Sequence, residues 1–150
     1  MIEKILNHLQ LSDTLHSSGM PTPEQISAIA EDGIQVVINL STSHSEGWMP
    51  NEKELVEAQK IIYQNIPVDW DNPTTDDLNK FSAVMDIHQH KTILVHCQAN
   101  YRATAFIALY RTNRLGWSEQ NAFKDLKKIW NPAEYPIWQK FIDKSLRKQS

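Results

Sequence analysis

Lys91-Thr92-Ile93-Leu94-Val95-His96-Cys97-Gln98-Ala99-Asn100-Tyr101-Arg102 is the stretch on which the fold turns. Lys91 to Cys97 is apolar and partly β-branched, which suits a strand buried on both faces. From about Ala103 to Leu115 the apolar content predicts a helix, stopped by Gly116. A buried strand that runs into a helix is the unit of a parallel sheet, and ligands of such sheets bind beyond the carboxyl ends of the strands. Cys97 stands at one of those ends.

The pattern repeats on both sides. Gln35 to Leu40 reads as a second buried strand, preceded by a helix that Gly33 ends. That helix starts after the turn Ser18-Gly19-Met20-Pro21-Thr22-Pro23, with Thr22 as cap, Pro23 at the first position and Gln25 as capping-box partner. Ile26, Ile29 and Ala30 mark its buried face. Ser41 to Pro50 reads as a loop, and Asn51 to Ile61 returns to helical spacing through Leu55 and Ala58. A short strand from Ile61 to Val68 leads into the turn-rich loop Asp69 to Thr75, where Thr75 is expected to cap a helix carrying Leu78, Phe81, Val84 and Met85. Two further helices are predicted over Ser118 to Trp130 and Glu134 to Leu146, divided at Asn131-Pro132. The expectation is an α/β fold of three layers, with a short, mostly parallel central sheet flanked by helices on both faces. With no repeat, low-complexity tract or Gly/Ser linker, residues 1–150 are expected to form one domain.

Bulk properties narrow the function. A length of 150 residues and 41% hydrophobic content suffice for one sizeable core. A net charge of -3 and a pI near 6.0 supply no basic field, so neither nucleic acid nor a membrane is expected as a partner. The locally basic stretch Lys140 to Lys148 reads as the solvated end of a helix. The one cysteine excludes an intrachain disulfide and an all-cysteine zinc site. The scattered histidines, His88 and His90 among them, show no obvious carboxylate or cysteine partner, so no metal and no cofactor is expected. Asn7, His8 and Gln10 interrupt the apolar residues of the N-terminus, and no run reaches the ~20 apolar residues of a membrane span, which predicts a cytoplasmic protein.

The chemistry lies in His96-Cys97-Gln98-Ala99-Asn100-Tyr101-Arg102, where His96 and the residues from Gln98 to Ala103 are the expected phosphate contacts. With a helix starting near Arg102, the amides of Gln98, Ala99, Asn100, Tyr101, Arg102 and Ala103 would converge beside the sulfur as an anion cradle, backed by the positive end of the helix dipole. The same field favours the nucleophilic thiolate of a cysteine placed there. Arg102 adds a planar fork for two oxygens of phosphate or sulfate. Attack on phosphorus also calls for a general acid at the leaving oxygen; Asp69 and Asp71, in a loop that follows another strand, are the candidates, with Asp71 preferred. Read singly, Cys97 also fits a core thiol, His96 a core imidazole, Arg102 a surface helix residue and each aspartate a loop cap. Trp48 and Trp70 fit either pocket walls or core packing.

With these residues in place, the chain resembles the cysteine-dependent dual-specificity phosphatase-like superfamily. Within it, the chain is similar to the small bacterial phosphatases found alone or fused to beta-lactamase-like hydrolase domains. The resemblance rests on Ser18 to Gln25, on Gly33 to Leu40 as a G-x-x-x-V-I-N-L stretch, on Ile66-Pro67-Val68, and on His96-Cys97 with Arg102, and it spans about Ser17 to Arg111. It implies a phosphatase fold and hydrolysis of phosphate monoesters, on a phosphorylated small molecule or a phosphoprotein, by way of a cysteinyl-phosphate. The chain departs from the usual H-C-x5-R pattern in having four residues between Cys97 and Arg102, a spacing shared with the narrower bacterial group and with rhodaneses. Asn100 replaces a loop glycine, and Ala103, followed by Thr104, replaces the hydroxyl residue that assists departure of the thiolate in the family. The superfamily's acid position, counted from Pro67, falls on Trp70. These departures admit two alternatives: a binding protein that does not turn phosphate over, and a rhodanese-like sulfurtransferase.

Overall fold

The computed structural model describes residues 1–147. In chain order the elements are β1 (Leu9–Ser12), β2 (Leu15–Ser18), α1 (Pro23–Ile26), β3 (Val36–Asn39), α2 (Glu52–Glu57), β4 (Ile62–Asn65), α3 (Thr75–Ile87), β5 (Ile93–His96), α4 (Tyr101–Asn113), α5 (Glu119–Ala122) and α6 (Pro136–Arg147), with single 3-10 turns between several of them. The five strands form one sheet in the order β1-β2-β5-β3-β4. β2, β5, β3 and β4 run parallel, and only the β1–β2 pair is antiparallel.

Period-two alternation divides the core between the two faces of the sheet. Val36, Ile38, Ile93 and Val95 pack on one side with Phe81 and Met85 of α3, Phe106 and Leu109 of α4, and Trp138 and Phe141 of α6. Val37 and Leu94 pack on the other with Ile26, Ile29, Val56 and Ile61. The observed architecture is thus the three-layer α/β arrangement the sequence predicts. β3 and β5 are buried at every position, which is why both read as unbroken apolar runs.

Local signals behave as their chemistry requires. Thr22 and Gln25 form the expected capping box, and Gly33 ends the 3-10 turn before β3 in the left-handed region at φ 81°. Several boundaries differ from expectation. α3 is capped by Thr74, in a box with Asp77, so Thr75 is its first residue. α4 starts at Tyr101, two residues before Ala103, because Asn100 turns the chain directly into it. α1 is four residues long and leaves Ala30 exposed, and α2 ends at Glu57, after which Lys60 at φ 65° redirects the chain into β4. Where the sequence predicts one helix over Ser118 to Trp130, the structure has α5 and a separate 3-10 turn at Leu126–Lys128. The hairpin β1–β2 has no counterpart in the sequence reading. Lys140 and Lys144 are exposed on α6, as expected of a solvated helix end; Lys148 lies outside the described residues. No described helix is long and apolar enough to cross a membrane.

Candidate active site

β5 ends at His96, so alternation sends Val95 and Cys97 to the α4 side of the sheet and His96 to the α2 side. Cys97 is 1% exposed and lies at the inner end of a cavity of about 320 Å³ lined by Trp70, Cys97, Gln98, Ala99, Tyr101, Arg102 and Tyr135. α4 begins at once, and its N-cap residue Asn100 sits at φ 71° with no side-chain capping bond. The first amides of a helix have no partner inside it, so this uncapped end is free to donate to an anion beside the sulfur.

Arg102, 5% exposed, donates from Nη1 to the Val68 carbonyl at 2.7 Å and from Nη2 to Ser45 Oγ at 3.4 Å. These bonds fix the guanidinium on the cavity wall and tie it to the segment after β4. Gln98 accepts from the Glu46 amide at 2.9 Å, joining the loop to Ser41–Pro50.

The loop keeps its tight course without a glycine of its own because the glycine lies opposite it. A Cβ on Gly19 would stand 2.7 Å from the Gln98 carbonyl oxygen, and the adjoining Met20 amide donates to that oxygen at 2.9 Å. Asn7 adds a second hold, donating from Nδ2 to the Ala99 carbonyl at 3.0 Å.

Beneath the loop, His96 is wholly buried. Its Nε2 lies 2.6 Å from Glu52 Oε2 and its Nδ1 3.2 Å from the Cys97 carbonyl. Both ring nitrogens face oxygens, so the imidazole supports the loop backbone from below and does not line the cavity, contrary to its expected place among the phosphate contacts. Asn39 extends the layer, donating to Glu52 and to the Tyr63 hydroxyl, whose pKa burial raises well above that of a free tyrosine.

The remaining expected residues separate. Gln98, Ala99, Tyr101 and Arg102 line the cavity with Cys97. Asn100 shapes the loop through its backbone, while its side chain donates to the Asn7 carbonyl; Ala103 is fully buried in the core. Thr104 offers no substitute hydroxyl at the cavity, because its Oγ1 donates to the Asn100 and Tyr101 carbonyls and accepts from Trp130 Nε1. Asp69 and Asp71 are both exposed and outside the cavity lining. Asp69 instead accepts from the Asp71 amide at 2.9 Å, in a side-chain turn that closes the loop on itself.

Trp70 faces inward between them. Its ring centroid is 5.3 Å from those of Trp138 and Tyr135 and 6.0 Å from that of Tyr101; Trp130 stacks on Tyr101 at 4.9 Å and 5°. Trp70 therefore supplies a wall, while Trp48 does not line the cavity. Tyr135, Trp130, Trp138, Glu52 and Asn7 carry no signal in the sequence that points to the site, and Gly19 reads there only as part of a turn, since each is brought to the loop by the tertiary fold.

A family model described as a dual-specificity/tyrosine (DSP-PTPase) phosphatase fused to NAD+ kinase matches residues 6–134. The chain belongs to this phosphatase family. A crystal structure of the DUF442 protein of Shewanella putrefaciens CN-32 superposes with a TM-score of 0.89 at 38% identity, covering 99% of this chain and 97% of that one. The dual specificity protein phosphatase TpbA of Pseudomonas aeruginosa (strain UCBPP-PA14) is 21% identical over 131 residues, which is 85% of this chain and 56% of TpbA. The chain thus spans little more than half the length of that curated relative. A crystal structure of TpbA from P. aeruginosa in complex with pTyr shares the fold, with a TM-score of 0.71 at 14% identity over 96% of this chain and 90% of that one. The resemblance to the dual-specificity and tyrosine phosphatase group is borne out.

Proposed function

We propose that this member of the phosphatase family hydrolyses phosphate monoesters through a cysteinyl-phosphate intermediate, with Cys97 as nucleophile and Arg102 as the clamp on the phosphoryl oxygens. The observation that carries the reading is that Cys97, at the end of β5, and Arg102, in the first turn of α4, line one cavity at an uncapped helix N-terminus. The amides of Gln98 to Arg102 and the Arg102 guanidinium would hold the equatorial oxygens while Sγ attacks in line. Water then cleaves the S–P bond. The substrate is a phosphorylated small molecule or a phosphoprotein; the aromatic walls favour an aromatic group next to the phosphate, and the complex of TpbA with pTyr supports including phosphotyrosine.

Hydrolysis of 4-nitrophenyl phosphate by wild type, Cys97→Ser and Arg102→Lys tests this. Loss of turnover in the serine variant and a large loss in the lysine variant are expected, since a point charge does not replace a bidentate fork. Equal rates in wild type and Cys97→Ser would overturn it.

One observation favours a second reading, phosphate binding without turnover: Ala103 is buried where the family carries a hydroxyl, and the Thr104 hydroxyl is engaged elsewhere. Phosphate binding by wild type with no measurable hydrolysis would select it.

A further inference from the structure

We infer, resting on the phosphatase reading above, that this site transfers the phosphoryl group without a general acid from the protein, and that its substrates carry phosphate on a weakly basic oxygen, a phenol or a second phosphate.

Three successive attachments fix the segment from which an acid would have to come. The Val68 carbonyl accepts from Arg102 Nη1 at 2.7 Å, the Asp71 amide donates to Asp69 Oδ1 at 2.9 Å, and the Trp70 carbonyl accepts from Trp138 Nε1 at 2.8 Å. Between the last two, the Trp70 ring is packed among Tyr101, Trp130, Tyr135 and Trp138. Asp69 and Asp71 are therefore held outward by the placement of the residue between them, and bringing either carboxylate to the sulfur would pull Trp70 from its cluster and break the bond to Trp138. Among the described residues, the cavity lining contains no carboxylate and no imidazole. Its hydroxyls belong to Tyr101 and Tyr135, and burial first, then the neighbouring Tyr101, raises the pKa of Tyr135, which makes it a weaker proton donor than a free phenol.

The chemistry follows from the bonds exchanged. As Sγ–P forms and P–O breaks, the bonding pair departs on the leaving oxygen, which must leave as an anion and collect its proton from bulk water. A phenolate or a phosphate can do so; the alkoxide of a serine, threonine or sugar hydroxyl is far more basic. In the second step water forms P–O, Sγ leaves as thiolate, and the water proton passes to solvent. The faces of Trp70, Tyr101 and Tyr135 complement an aryl leaving group.

The test compares kcat/KM for 4-nitrophenyl phosphate, phenyl phosphate, inorganic tripolyphosphate and glycerol 2-phosphate in wild type, Cys97→Ser, Asp69→Asn, Asp71→Asn and Tyr135→Phe. A general acid contributes typically about 10²–10⁴-fold, so glycerol 2-phosphate should fall behind 4-nitrophenyl phosphate by at least that factor. Phenyl phosphate should lie between them, and both asparagine variants should match wild type on every substrate from about pH 5 to 8. Turnover of tripolyphosphate assigns the leaving group to a second phosphate, and its absence to phenols; either supports the inference. Comparable rates on glycerol and 4-nitrophenyl esters would overturn it. So would an Asp69→Asn, Asp71→Asn or Tyr135→Phe variant that selectively slows the poorer leaving groups. Absence of any Cys97-dependent turnover would overturn the phosphatase reading itself, and this inference with it.

Discussion

Asn7 and Asn100 face one another across the phosphate loop, and both hold left-handed backbone conformations, at φ 52° and 71°. Asn100 Nδ2 donates to the Asn7 carbonyl at 2.8 Å, and Asn7 Nδ2 returns a bond to the Ala99 carbonyl at 3.0 Å. The N-terminal turn and the loop therefore fix each other at the left-handed residue of each. Replacing Asn100 by glycine loses the side-chain bond but relaxes the backbone, whereas alanine loses the bond and keeps the strain. Asn100→Gly should cost about 1 kcal/mol, from the hydrogen bond, and Asn100→Ala about 2–3 kcal/mol, measured by urea denaturation. Equal costs would show that the conformation at Asn100 carries no strain.

Gly19 should tolerate no side chain. Its added Cβ would meet backbone, the Gln98 carbonyl oxygen at 2.7 Å, which cannot swing aside as a flexible side chain would. Gly19→Ala should destabilise by about 1–3 kcal/mol and lower aryl phosphatase activity more than stability alone explains, since the displaced residue adjoins Cys97. Thermal melts and kcat/KM on one preparation check both.

Glu52 and His96 form a pair that is 1% and 0% exposed, so removing either partner leaves the other buried without its bond. Glu52→Ala should cost about 3–5 kcal/mol, and Glu52→Gln less, because the amide oxygen still accepts from the imidazole. Denaturant unfolding distinguishes the two.

His8 Nε2 lies 2.9 Å from His16 Nδ1, and burial lowers the pKa of both rings; in His8 the charge of a protonated His16 lowers it further. The folded state therefore binds protons less readily than the unfolded state, whose histidines titrate near about 6.5. Stability from this pair is complete above that value and declines as pH falls through it, because the unfolded chain takes up protons first. Urea midpoints from about pH 8 down to 5 should drop, and drop less in His8→Gln, in which one of the two rings is gone.

Where structure depends on neighbours in the chain, the sequence reading holds. β3 is legible as an apolar run between Gly33 and a polar loop, β5 as an apolar run that follows the polar stretch His88 to Lys91, α1 by its Thr22-Pro23 cap, and the Cys97–Arg102 loop by its position between strand and helix. The β1–β2 hairpin is not: Leu9, Leu11 and Leu15 are only partly buried, and the Asp13-Thr14 turn lacks the glycine that marks most two-residue hairpins. Helical spacing over Ser118 to Trp130 misleads because Leu126 and Trp130 are buried in the aromatic cluster by tertiary packing and not by a continuous helix. The site divides in the same way. Its nucleophile and clamp lie close together in the chain, while Trp70 and Tyr135 come from segments whose meeting no local pattern encodes, and the charge of Asp69 and Asp71 suits an acid in sequence although the fold turns the ring between them inward.

The stacked pair of Tyr101 and Trp130, with Trp70 and Trp138 beside it, gives the protein an optical probe of its own. Three of its five tryptophans are gathered beside one cavity, Trp70 in its wall and Trp130 and Trp138 packed against Trp70, and Tyr101 belongs to the loop that would wrap a bound oxyanion. Intrinsic emission should respond to occupancy directly, so that phosphate, vanadate or an unreactive substrate analogue can be titrated against unlabelled protein, and the loop variants compared on the same signal.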